Sequence, residues 1–157
     1  MKTGVRLVWM MAVFWMAFAP ALYAAEQPDD RDALQGLTSA QVVFDVRVPD
    51  IDRLVFNLGL INETYDGLVA QGVKPSMVVT FRGPGVGLLA NSAPDADAHD
   101  LFKALKARGV RFEVCAVAMR VFKADPARLI PEVKLVANVF NSMIGYQTKG
   151  YALIAIN

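Results

Sequence analysis

The sequence predicts an α/β domain built on a mostly parallel β-sheet covered on both faces. Three observations carry this. Short apolar, β-branched segments alternate along the chain with segments whose apolar residues recur at helical spacing. The strand segments are nearly continuous in apolar residues rather than alternating, the pattern of strands buried on both faces. Gly72, Gly109 and Gly150 each stand where a helical pattern gives way to a strand pattern.

The chain opens on a segment set apart from that domain. Lys2 and Arg6 give a basic start, and Leu7 to Ala19 is an uncharged apolar block containing Trp9, Phe14, Trp15 and Phe18. Pro20 breaks the block, and Ala21-Leu22-Tyr23-Ala24-Ala25 supplies small residues for cleavage. This is the pattern of a secretory signal peptide over residues 1–24. It places the mature protein in the periplasm or outside the cell, with no stable membrane span. The alternative is an uncleaved anchor, because the uncharged run from Leu7 to Ala25 approaches the roughly 17–25 residues that span a bilayer; Pro20 and the small residues behind it favour cleavage. Cleavage near Ala24 leaves about 130 residues, enough for one ordinary domain. Residues 25–40 are polar and acidic, with Pro28, Asp29 and Asp30, and read as a flexible leader before a domain over residues 41–157.

Gln41 to Val46 is the first strand, stopped by Pro49-Asp50. Asp50 is placed to cap a helix, its carboxylate accepting from free backbone donors at the positive dipole end. Ile51, Leu54, Val55, Leu58, Ile61, Tyr65, Leu68 and Val69 follow at helical spacing, and Gly72 ends the helix. Ser76 to Phe81 is the second strand. Asn91 to Asp95 is a loop, and Ala98, Leu101, Phe102 and Leu105 mark one face of a second helix that Gly109 closes. Val110 to Arg120 reads as a buried strand: Val110, Phe112 and Val114 alternate with Arg111 and Glu113, then the run turns wholly apolar. Lys123 to Pro131 is a connection with a turn at Asp125-Pro126. Lys134 to Val139 reads as a fourth buried strand, Phe140 to Lys149 as a helix with Phe140, Ile144 and Met143 inward, and Tyr151 to Ile156 as a final apolar strand. The last strand and Phe140 to Tyr146 are greasy for a small monomer, which predicts a self-association face.

Composition narrows the function classes. Removing Lys2 and Arg6 leaves 14 basic against 15 acidic side chains, a net charge of −1. With no basic stripe, nucleic acid is not an expected partner. One histidine and one cysteine without a CxxC pair exclude a structural zinc site. No Gly-x-Ser-x-Gly elbow, metal cluster or acid pair supports a hydrolase or oxidoreductase. Asp45 and Asp50 flank the end of the first strand, where a turn and a cap explain them. His99 sits beside Asp97 and Asp100; it fits an exposed first turn of a helix better than a catalytic base. Arg82-Gly83-Pro84-Gly85-Val86-Gly87-Leu88-Leu89 follows the second strand, but its spacing is neither a Walker loop nor a dinucleotide fingerprint. Pro84 removes one donor that a phosphate cradle needs. The favoured reading is a tight strand exit with close backbone approach; the alternative is contact of a small anion or sulfur species with Arg82.

Cys115 is the candidate for chemistry. In an open α/β sheet, ligands gather beyond the carboxyl ends of the strands, and the lone thiol lies towards the end of its segment. A cysteine near pKa 8.5 is only a few per cent thiolate at pH 7, and positive neighbours raise that fraction. Arg120 and Lys123 supply such a field if the chain turns back over the strand end. The alternative is a small core residue, since free cysteine is among the most buried types.

The order of elements and three local strings resemble the DsrE/DsrF-like (YchN-like) family, in its exported branch. The strings are Phe81 to Leu89, Leu105 to Cys115, and Gln147-Thr148-Lys149-Gly150-Tyr151-Ala152, and the likeness runs from about Val42 to Ile156. The resemblance implies a three-layer α/β/α sandwich with a five-stranded sheet and assembly into trimers or hexamers. It also implies sulfur trafficking, in which Cys115 carries sulfur as a persulfide between donor and acceptor proteins, with no cofactor and no metal. The alternative function is an oligomeric module that binds a small molecule or protein, with Cys115 structural.

Overall fold

The computed structural model describes residues 28–90 and 95–157. The expected signal peptide and its cleavage site lie outside the described residues, as does most of the Asn91-to-Asp95 loop. The elements run α1 (Arg31–Leu34), β1 (Ser39–Val46), α2 (Ile51–Ala70), β2 (Lys74–Phe81), α3 (Val86–Leu89), α4 (Ala96–Ala107), β3 (Arg111–Cys115) and α5 (Ala116–Val121). A 3₁₀ turn at Pro126–Arg128, β4 (Val133–Val136), α6 (Val139–Thr148) and β5 (Ala152–Ile156) complete the chain. No helix among the described residues is long and apolar enough to cross a membrane.

The five strands form one sheet in the order β4-β3-β2-β1-β5, and every neighbouring pair is parallel. Parity along β3 shows how the layers lie. Phe112 meets Phe102 of α4 edge-on at 4.8 Å, whereas Glu113 meets Tyr146 of α6. Adjacent residues of a strand point to opposite faces, so α4 covers one face and α6 the other. α2 packs against α4 and completes the first layer. The result is a three-layer α/β/α sandwich. Connections β1–β2 and β2–β3 step one way across the sheet, and the β4–β5 connection returns across it. Right-handed crossovers therefore put α6 on the opposite side from α2 and α4.

Local chemistry explains the boundaries. Asp50 caps α2, its Oδ1 accepting the Arg53 N–H at 2.9 Å. Asp95 caps α4 through the Ala98 N–H, and Asn138 caps α6 through the Phe140 N–H. Gly72, Gly109 and Gly150 take φ of +79°, +88° and +88°, the left-handed turn out of a helix that a side chain resists. The core is Val43, Val78, Val79, Leu58, Ile61, Phe102, Leu105, Phe112 and Met119 with their neighbours, all nearly inaccessible.

Four expectations change. The segment Val110 to Arg120 is not one strand: β3 ends at Cys115, and Ala116 onward is α5. Its partners end there too, with Val114 beside Phe81 and Cys115 beside Val136. Without a ladder to continue, an Ala- and Met-containing run takes the helix it favours. The fourth strand is not a buried one: β4 is an edge strand with Lys134 and Leu135 exposed, and it stops at Val136 because Asn138 begins a cap. In α6, Met143 is buried together with Val139, but Phe140 and Ile144 face out, at 52% and 63% exposure. The helix starts one residue earlier than read, so the inward stripe runs Val139–Met143–Tyr146. Finally, β5 is an edge strand and its residues are mostly exposed, Leu153 and Ile154 among them. Within the expected leader lies α1, tied to the end of α2 by the Asp30 N–H donating to Gln71 Oε1 at 3.0 Å.

Candidate site at the carboxyl end of the sheet

Cys115 is the last residue of β3 and the residue from which α5 starts. It is buried, at 5% exposure. Strand parity puts it on the α6 side with Arg111 and Glu113. The helix that follows presents Ala118 and Met119 to the core and Val117, Arg120 and Val121 outward. The chain thus does turn at the thiol. Arg120 and Lys123 both stand on the exposed side of that turn, and Lys123 takes φ +55° as the chain leaves α5.

Beside this strand end lies a charged pair that sequence reasoning missed. Asp45, the penultimate residue of β1, is buried at 5% exposure. Arg82, just beyond β2, grips it with both arms. Nε donates to Oδ1 at 2.9 Å and to Oδ2 at 3.2 Å, and Nη2 donates to Oδ2 at 2.6 Å. The guanidinium also lies 5.0 Å from the ring centre of Phe140. Asp45 is therefore the partner of an arginine, not part of a turn. The Arg82 fork is committed to a carboxylate and an aromatic face, which removes the basis for reading it as an anion contact.

The glycine turn is a close-packed strand exit. Gly83 takes φ +75°, and a Cβ on Gly85 would collide with the Val48 carbonyl oxygen. His99 lies in the first turn of α4, its Nε2 3.9 Å from Glu132 Oε1. Among the described residues no group of three or more His, Cys, Asp or Glu side chains could hold a metal.

A second polar cluster lies under α6. Tyr146 donates its hydroxyl to Glu113 Oε1 at 2.8 Å, while Glu113 Oε2 is buried without a hydrogen-bond partner. Burial first, and the Glu113 carboxylate second, push the Tyr146 hydroxyl up to about 12. Tyr151 shares a 2.9 Å hydrogen bond with Ser76 and accepts one from Arg111 Nη2 at 2.7 Å. The Ser76 bond, then Arg111, hold its hydroxyl below the ordinary tyrosine value. Glu113 alternates with apolar residues in the sequence; only Tyr146, 33 residues on, explains how a carboxylate is tolerated where it is buried.

The comparisons with known proteins agree with this architecture. The model of the DsrE/DsrF-like family matches residues 41–156. The structure of a protein of unknown function, MTH1491 from Methanobacterium thermoautotrophicum, superposes with a TM-score of 0.63 at 22% identity, covering 74% of this chain and 98% of that one. The ychN protein from E. coli superposes with a TM-score of 0.50 at 14% identity, covering 74% and 97%. No curated protein matches. At these identities the two structures speak for the fold, and the family match speaks for descent: this chain belongs to the DsrE/DsrF-like family.

Proposed function

We propose that this protein is an exported sulfur carrier in which Cys115 takes up sulfane sulfur as a persulfide and passes it to a partner protein. The observation that carries the reading is the position of the chain's single cysteine. It ends an interior strand at the carboxyl edge of the sheet, in a chain whose family is linked to sulfur relay. The chemistry balances without a cofactor. The Cys115 thiolate attacks the outer sulfur of a persulfide R–S–SH, the new Cys115–S bond forms, and the donor S–S bond breaks to release R–S⁻. Delivery is the same step in reverse direction, with the acceptor thiolate attacking the outer sulfur and Cys115 leaving as thiolate. Export is supported by the basic, apolar, small-residue order of residues 1–25. Self-association is supported by Phe140, Ile144, Leu153 and Ile154, large apolar side chains exposed on α6 and β5.

One observation favours a second reading. Cys115 is only 5% exposed and is followed by a helix that packs Ala118 and Met119 inward. On that reading the thiol is a core residue, and the protein is an oligomeric binding module. Intact-protein mass spectrometry after exposure to polysulfide separates the two, with Cys115→Ala beside it. A gain of one sulfur, reversed by reductant and absent in the variant, is the expected result. No gain, with a thiol that resists alkylation until denatured, overturns the carrier reading.

A further inference from the structure

At the opposite end of β3 from Cys115, Arg111 is held in place by aromatic side chains and by no acid. Its guanidinium carbon lies 5.1 Å from the centre of the Tyr146 ring and 5.8 Å from that of Tyr151, and its Nη2 donates to the Tyr151 hydroxyl. Both tyrosines are fixed in turn. Tyr146 is anchored on Glu113 and Tyr151 on Ser76, and the two rings touch at 5.1 Å. Among the described residues no carboxylate lies within ion-pair distance of Arg111. Arg31, Arg53, Arg82 and Arg108, by contrast, each pair with an aspartate.

This guanidinium lines a surface hollow of about 250 Å³ with Asn141, Ser142, Gly145, Tyr146 and Lys149 of α6 and its cap. Two cations line it together with the Asn141 amide and the Ser142 hydroxyl, and no carboxylate does; the Tyr146 hydroxyl is spent on Glu113. A hollow of this size is smaller than the usual pocket for a drug-sized ligand. A planar fork set on aromatic faces, with its charge unneutralised, is the arrangement that recognises oxygen anions. We propose that the hollow between β3 and α6 is a binding site for a small, doubly charged oxyanion, gripped by Arg111 and Lys149. The partial negative charge at the carboxyl end of α6 and the Glu113 carboxylate behind Tyr146 work against an anion. Both weaken the binding that the two cations favour. The site lies roughly 13 Å along the strand from the thiol, four residues at the usual rise, so it is independent of any reaction at Cys115.

The test is titration of the full protein with sodium sulfate, followed by amide and arginine side-chain NMR shifts, against sodium chloride at matched ionic strength. Saturable sulfate shifts confined to Arg111, the α6 flank and Lys149 are expected. Arg111→Lys, which keeps the charge and loses the fork, should weaken binding at least fivefold, as should Lys149→Gln. Arg120→Gln, at an exposed arginine outside the hollow, should leave sulfate binding unchanged. If Arg111→Lys perturbs the fold, the exposed Lys149→Gln decides alone. Linear shifts that chloride reproduces, equal loss in Arg120→Gln, or sulfate affinity retained in Lys149→Gln would overturn the proposal.

Discussion

Removing Arg82 should unfold the protein more readily than any surface substitution, because it strands a buried charge. Asp45 has 6% of its side chain exposed and Arg82 24%. Three hydrogen bonds reach the carboxylate from this one guanidinium. Breaking a buried pair by removing one partner costs about 3–5 kcal/mol. Arg82 is a quarter exposed, so water reaches the carboxylate once the arginine is gone, and the lower end, about 3 kcal/mol, applies to Arg82→Gln. Asp45→Asn leaves the cation, which is better placed to hydrate, and should cost about 2 kcal/mol. The double variant carries two neutral amides and should cost no more than about 2–3 kcal/mol, leaving a coupling of about 2–3 kcal/mol. Urea unfolding monitored by circular dichroism measures all four proteins. In a domain of this size the Arg82→Gln loss corresponds to a melting temperature about 10 °C lower. The coupling should persist in high salt, because a buried pair is weakly screened. An Arg82→Gln cost below about 1 kcal/mol with no coupling would mean that the pair behaves as a surface ion pair, and the argument from burial would fail.

The tyrosines under α6 should titrate on opposite sides of the ordinary value when followed by ultraviolet absorbance. Tyr151 ionises below 10 and Tyr146 near 12, and Glu113→Gln should bring Tyr146 down. Because the folded value of Tyr146 is raised, its contribution to stability is complete below pH 10, declines above it and is gone beyond about pH 12. Tyr146→Phe should abolish that alkaline slope in urea midpoints; an unchanged slope would assign it to another group. Gly85→Ala should destabilise by about 2–3 kcal/mol, since its Cβ meets the Val48 backbone and not a movable side chain; near-wild-type urea stability would show that the β2 exit yields. Light scattering at micromolar concentration should find an oligomer that Ile144→Lys weakens, and a single monomeric species in the wild type would refute the self-association face.

The alternation of strands and helices was readable because each is written locally. Asp50 announces the start of α2, Gly72 and Gly109 announce helix ends, and Val42 to Val46 or Met77 to Phe81 have the apolar content of covered strands. What was not readable depends on partners distant in sequence. β3 had to end at Cys115 because β2 and β4 offer no further backbone, a fact held in other strands. Phe140 and Val139 are both apolar, and only the Asn138 cap decides which one begins the inward stripe. Glu113 and Asp45 sit in strands as charged residues would on an open face. Their burial rests on Tyr146 and Arg82, 33 and 37 positions away. Cys115 was found as a residue, but its surroundings were not.

Those surroundings bear on the proposal that Cys115 carries sulfur. A donor must reach Sγ itself to load it, and at 5% exposure the folded surface gives little room for that approach. The element that leaves directly from the thiol's residue is α5, a helix of six residues whose outer face is already solvated at Val117, Arg120 and Val121. Its hold on the domain comes chiefly from Ala118 and Met119. So short a helix has little stability of its own, and segments of this kind open at lower free energy than the sheet beneath them. Once sulfur is added, the reactive atom stands about 2 Å further out along the new S–S bond, and delivery requires less opening than uptake. Burial of Cys115 is thus compatible with transfer if local opening at the end of β3, where α5 leaves, precedes loading. That makes access, rather than the positive field of Arg120 and Lys123, the step on which the carrier reading depends.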